Sequence, residues 1–273
     1  MMRTRLAAAV ACGCLALTVA PAYAASGDPT SPATTSGDSL SSHGGGSSTP
    51  AKSTPIRTPQ TYSPPPAPHD AVSPTPHVTI KPSGYFHVKV DPTGKKSLDG
   101  TWPDAAEVFT KAELAQALPG LSAVHVGDCH QVPTTKGRTS THREMCTLTL
   151  GITGEPKNDP SRLVVDVRGF GTADVIGRRW STELTQQLTR AEKRPGLYTF
   201  YQNGALGVVA GYTDGTTTRV LLAKGAVTGE IWFSGVGFTT LKSDYLASRK
   251  QYRTVIVPEL VRLLAAKMAG PTS

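Results

Sequence analysis

From about residue 78 to the C-terminus, apolar residues alternate with polar ones or recur at helical spacing, and between residues 25 and 77 they do neither. Residues 85–90 (YFHVKV) alternate, with Tyr85, His87 and Lys89 on one side and Phe86, Val88 and Val90 on the other, which predicts a first strand. Residues 109–120 (FTKAELAQALPG) predict a short helix. Thr110 stands as its N-cap, Glu113 completes a capping box, and Pro119-Gly120 ends it. Residues 124–126 predict a short strand, and residues 145–152 (MCTLTLGI) and 162–169 (RLVVDVRG) predict two longer ones. In residues 172–196, Ala173, Ile176, Trp180, Leu184, Leu188 and Ala191 fall on one helical stripe that Pro195-Gly196 stops. Four strands follow, at residues 197–202, 205–213, 216–224 and 230–238, with Asp214-Gly215 as a hairpin turn. Residues 242–252 are predicted helical. Residues 257–270 predict a last helix with Pro258 in its first turn and Val261, Leu264, Ala265 and Met268 as the buried stripe.

Runs of adjacent strands joined by turns make an antiparallel sheet. The predicted class is therefore α+β: an antiparallel sheet, including a C-terminal four-strand meander, packed by about three helices. Trp180 and Trp232 are read as core anchors. Residues 78–270 are the right size for a single domain.

The ends and the composition place this domain. Arg3 and Arg5 precede an apolar run, and Ala22-Tyr23-Ala24 is the small-x-small pattern of a signal peptidase site. Residues 1–24 are expected to be a signal peptide cut between Ala24 and Ala25, leaving no transmembrane segment in the mature chain. Cys12 and Cys14 lie inside the apolar run, and lipidation of either is the competing reading. Residues 25–77 are nearly all Ser, Thr, Pro, Gly and Ala, too poor in apolar surface to offset the entropy of ordering, so a disordered linker is expected. Fully extended, such a linker spans on the order of 150 Å at about 3.1 Å per residue. The chain has net charge +8, which falls to +6 when Arg3 and Arg5 leave with the signal. A secreted chain with scattered charges, the densest run being RAEKR at residues 190–194, is not expected to meet nucleic acid.

The stretch HVGDCHQVPTTKGRTSTHREMC, residues 125–146, holds the candidate chemistry. His125, Cys129, His142 and Cys146 form two His-x3-Cys pairs, and four such ligands could close a tetrahedral zinc site. Outside the cytoplasm a lone cysteine pair normally oxidises, and two cysteines allow one pairing. A Cys129–Cys146 disulfide is therefore expected, with zinc as the alternative. No cofactor is expected. Gly169-x-Gly171 after a strand is two-thirds of a dinucleotide fingerprint, but Asp174 replaces the third glycine, where a carboxylate would repel a pyrophosphate. A glycine turn plus helix cap is the better account of it. There is no G-x-S-x-G elbow, and Ser234 falls inside a predicted strand. His87 and His130 have no positioned partner in the sequence. Paired carboxylates would be assembled by the fold rather than by local spacing.

The succession ELAQALPG, DC, CTLTLGI, the helix around Trp180, YQNGALGVVAGY and the last amphipathic helix resembles actinobacterial secreted proteins and lipoproteins of unknown function with a PsbP-like α+β layout. The resemblance covers roughly residues 109–269. It implies an α+β fold with a cysteine pair and carries no catalytic residues with it. The lipid-attachment cysteine common in that group is missing. The expected function is a secreted, non-enzymatic envelope or extracellular binding module on a flexible stalk. It would be extracellular or wall-associated, with cell-wall polymer or another envelope protein as partner. A hydrolase of wall polymer or peptide and a carrier of a small apolar ligand are the alternatives. The surface expected to bind is the sheet face or edge that helices leave uncovered.

Overall fold

The computed structural model describes residues 62–89, 102–130 and 143–271. The signal sequence with its Ala24/Ala25 cleavage, Cys12, Cys14, the linker up to residue 61, and His142 lie outside the described residues.

Seven strands form one antiparallel sheet in the order β1-β2-β3-β7-β6-β5-β4. They are β1 (Leu121–His130), β2 (Met145–Ile152), β3 (Ser161–Thr172), β4 (Tyr198–Phe200), β5 (Ala210–Asp214), β6 (Thr217–Lys224) and β7 (Val227–Val236). The last four are the expected meander. Gly215 makes the β5–β6 turn at φ +54°, a backbone state that L side chains resist. The class is α+β, as the sequence predicts.

The helices are α1 (Lys111–Ala117), α2 (Arg178–Lys193), α3 (Tyr245–Gln251) and α4 (Val257–Ala269). A 3-10 turn at Ala105–Glu107 precedes α1, and a π-helical turn at Ala173–Gly177 leads into α2. The capping box of α1 is fully formed between Thr110 and Glu113. Arg190 and Lys193 of the basic run end α2, where cations suit the helix dipole.

The two faces of the sheet differ. On one, Cys146, Leu148, Leu150, Leu163, Val165, Ile231, Phe233, Val220 and Leu222 pack under the 3-10 turn, α1 and α4, and Val261, Leu264 and Met268 point into this core. On the other, α2 lays Ile176, Trp180 and Leu184 on Phe200, Tyr212 and Leu221 of the β4–β5–β6 end only. The π-helical turn before α2 touches β3 and β7, and Arg179 of α2 reaches Glu230 of β7.

Several elements depart from the sequence reading. Residues 85–89 are extended but join no ladder. Phe86 donates its N–H to Lys267 O in α4 and sets its ring edge-on to Phe170 at 6.1 Å. Alternation fixes which side chains go in, but pairing needs a strand neighbour, and here the neighbour is a helix end. The strand foreseen at residues 124–126 is much longer, Leu121–His130, because β2 gives it a partner along its length. Gly169 and Gly171 lie inside β3, at and beyond a bulge, rather than in a turn before the helix. Residues 62–77, expected as linker, lie against the domain. Tyr62 covers Gly177 and bonds Ser181, and Val72 bridges Tyr201 alongside β4. The proline-rich segment needs no core of its own to be ordered when a sheet edge supplies its hydrogen bonds.

Two glycines are fixed by aromatic rings. A Cβ at Gly235 would lie 2.1 Å from Cζ of Tyr252, and one at Gly229 would lie 2.2 Å from Cε1 of Phe170. Tyr252 is itself stacked on Phe238 at 4.2 Å, so its ring cannot retreat. Gly235→Ala is expected to destabilise the domain by about 1–3 kcal/mol through overpacking. Urea denaturation would show it as a lower midpoint at unchanged slope, and an unchanged midpoint would mean that the ring yields freely.

Candidate functional site

Strand alternation and α2 together build the candidate site. One row of side chains on the α2 face runs across neighbouring strands: Asp166 of β3 faces Trp232 of β7, Trp232 faces Arg219 of β6, and Arg219 faces Tyr212 of β5. Tyr212 lies under α2, while Asp166 and Trp232 lie beyond it.

Trp232 is held on three sides. The Arg168 guanidinium stands 4.4 Å from its ring centroid and that of Arg219 4.3 Å, while its indole Nε1 donates to Glu230 Oε1 at 2.6 Å. Each arginine has a carboxylate. Arg168 donates to Asp166 Oδ2 at 3.2 Å, and Arg219 donates to Asp214 and to the Tyr212 hydroxyl. From α2, Arg179 reaches down with two N–H groups to Glu230 Oε2, at 2.7 and 3.0 Å. Arg168, two positions beyond Asp166 and skipped by the pairing register at the β3 bulge, lies over Trp232.

Burial pushes the Asp166 carboxyl above the ordinary carboxylate range; Arg168 opposes this, and nearby Glu230 and Glu144 reinforce it. Its Oδ1 has no hydrogen-bond partner among the described residues. Burial likewise raises the Tyr212 hydroxyl, against the pull of Arg219.

Trp232, expected from the sequence as a core anchor, is instead half-buried on the less covered face, whereas Trp180 is fully buried. Below this row the face is polar and open. Thr147, Thr149, Val164, Ser234 and Thr217 are half-buried, and Arg162, His125 and Val236 are exposed. Ser234 thus sits in its strand as expected.

Chemically, the arrangement is committed to itself. Guanidinium groups from the strands on either side of β7, Arg168 and Arg219, stand over the Trp232 ring. Among the described residues, Asp166, Asp214 and Glu230 each face an arginine. What remains available is a surface of hydroxyls and partly exposed guanidinium groups, the side chains of Arg168 and Arg162 being 34% and 48% exposed.

The cysteine stretch resolves differently from a metal centre. The Cys129 and Cys146 sulfurs are 2.18 Å apart, a disulfide between β1 and β2. Cys146 points into the core, while His125, opposite Thr149, is on the other side of the sheet. Among the described residues no group of three or more metal-ligating side chains converges. His130 is exposed, with Nδ1 beside the Asp128 carbonyl, and His87 is exposed.

A cavity of about 400 Å³ opens between residues 83–87, the 3-10 turn and α4, walled by Tyr85, Phe86, Trp102, Glu107 and Thr110. The Lys267 ammonium at its edge is engaged by Glu107 O, Val108 O and Glu113. These walls mix aromatic and polar groups. No helix among the described residues is long and apolar enough to cross a membrane.

Comparison with family models, curated proteins and solved structures gives no match.

Proposed function

We propose that this chain is a secreted, non-enzymatic envelope or extracellular binding module on a flexible stalk, which docks a macromolecular partner on the half of the sheet face that α2 leaves uncovered. The observation that carries this reading is Trp232 clamped between Arg168 and Arg219 beside an open Thr- and Arg-bearing surface. Tryptophan and arginine are the side chains most enriched where interfaces concentrate their binding energy. A pre-ordered arginine loses little entropy on engagement. The secreted setting, read from the leader and linker, makes cell-wall polymer or another envelope protein the partner.

The test is cosedimentation and crosslinking of the mature chain with isolated envelope of its host. Arg162→Glu and Thr149→Arg alter the open face without touching the core. Each is expected to weaken binding roughly tenfold, the scale of a modest hot spot, while Arg190→Gln on exposed α2 leaves it unchanged. Equal binding by all three would remove the open face as the docking surface.

A further inference from the structure

The two most exposed large hydrophobic side chains among the described residues are neighbours: Leu246 is 76% exposed and Tyr245 59%. Both stand in the first turn of α3, thirteen and fourteen positions beyond Trp232. This turn is tightly built. Asp244 caps it through Ala247 N–H at 2.8 Å, and the Ser248 hydroxyl ties back to the Asp244 and Lys242 carbonyls and accepts the Lys242 N–H. Arg249 pins the helix to the end of β7 through Gly237 O at 3.0 Å. The apolar pair is therefore displayed on a fixed support rather than left on a loose loop.

Its surroundings are basic. Lys242, Lys250 and Arg253 are exposed, Arg249 is half-buried, and the only acid from Lys242 to Arg253 is the capping Asp244. Leu246 and Lys250 follow at i and i+4 on α3, and Arg253 stands in the π-helical turn Tyr252–Ile256 that continues it. None of these positions shows in the sequence as a charge run, because small and polar residues separate them.

We propose that this corner docks on an anionic phospholipid surface. A soluble polyanion would satisfy the lysines and arginines and leave Leu246 in water. A bilayer interface takes both kinds of group: leucine enters the acyl boundary, tyrosine sits at headgroup level, and the long basic side chains reach the phosphates. Each basic residue near an anionic leaflet raises affinity roughly fivefold. Two apolar side chains make the attachment reversible. The docking uses side chains other than those of the open sheet face and would hold the module near a membrane.

The experiment is cosedimentation of the mature chain with vesicles of phosphatidylglycerol and phosphatidylcholine in equal parts, against vesicles of phosphatidylcholine alone. Binding is expected to the anionic vesicles only and to weaken with added salt. Leu246→Ser should lower the affinity roughly tenfold, and Lys250→Gln with Arg253→Gln roughly twentyfold. All these side chains are exposed, so the variants should melt with the wild type, and the open-face change Arg162→Glu should leave vesicle binding intact. Binding to both vesicle types alike would overturn the proposal. So would charge variants that weaken binding while Leu246→Ser does not, which would assign the corner to a soluble polyanion.

Discussion

Replacing Glu113 by alanine is expected to cost the domain about 3–5 kcal/mol, because it strands a buried ammonium. Lys267 and Glu113 are 3% and 0% exposed, with their charged atoms 3.1 Å apart. Burial pushes the Glu113 carboxyl up, but the N–H groups of Thr110 and Ser83 and the Lys267 ammonium outweigh it and hold the carboxyl below its ordinary range. Burial pulls the Lys267 ammonium down, and Glu113 opposes this. The pair joins α1, α4 and residue 83 at one point, so its loss loosens three segments at once. The sign with pH follows from the depressed carboxyl. Its contribution is present above the unfolded carboxylate value, roughly 4.3, and is lost as pH falls through the lower folded value. Urea denaturation at neutral and acid pH should show a smaller acid loss for Glu113→Ala than for wild type. The joint change Glu113→Leu with Lys267→Met should recover much of the stability, since no charge then needs desolvating. Full stability of Glu113→Ala at neutral pH would mean that the pair contributes nothing net.

The same pair shows what a sequence conceals. Thr110 and Glu113 were legible as a capping box because both partners lie within one helical turn. That Glu113 also meets Lys267 could not be read, since 154 positions separate them. The general pattern is consistent. The α2 stripe, the capping box of α1, the Asp214-Gly215 turn and the meander are local, and local periodicity carried them. The end of the linker and the fate of residues 85–89 depend on what lies beside them in space. Both segments are extended, as their sequences ask, but one borrows the β4 edge and the other the end of α4.

The candidate site was half legible. That the uncovered sheet face should matter follows from a sheet with too few helices to cover both sides. Its members were missed because Asp166, Arg219 and Glu230 sit in strands whose alternation could be read only as inside or outside one core. The signal was present: VVDVRG, TTRVLL and GEIWFS each place a charge where an apolar residue would continue the strand. Asp166 and Arg219 both lie opposite Trp232, and Glu230 stands two positions before it on β7, but this register becomes known only once β3, β7 and β6 are seen side by side. Trp232 was assigned to the core for the same reason. A strand buries its two faces differently, and aromatic content alone does not say which face is the core.

Cys129→Ser is expected to remove about 3 kcal/mol of stability under oxidising conditions, the entropy of a loop of this length, and to lower the melting temperature by roughly 6–12 °C. The cysteines are 17 positions apart with Cα atoms 4.2 Å from each other. They cross-link β1, the outermost strand at its end of the sheet, to β2. The β1–β2 register breaks between Gly127 and His130, where Asp128 adopts φ +47°, so the bond holds the strands together where ladder hydrogen bonds are interrupted. Cys129 is the position to change, because Cys146 is fully buried and a hydroxyl there would add a desolvation cost of its own. Reducing the wild type should reproduce the variant, and a chelator should change neither, since His125 faces away from Cys146. Identical melting of oxidised wild type and variant would show the bond to be energetically idle. Melting that falls with the chelator instead would mean that the His-x3-Cys pairs hold a metal after all.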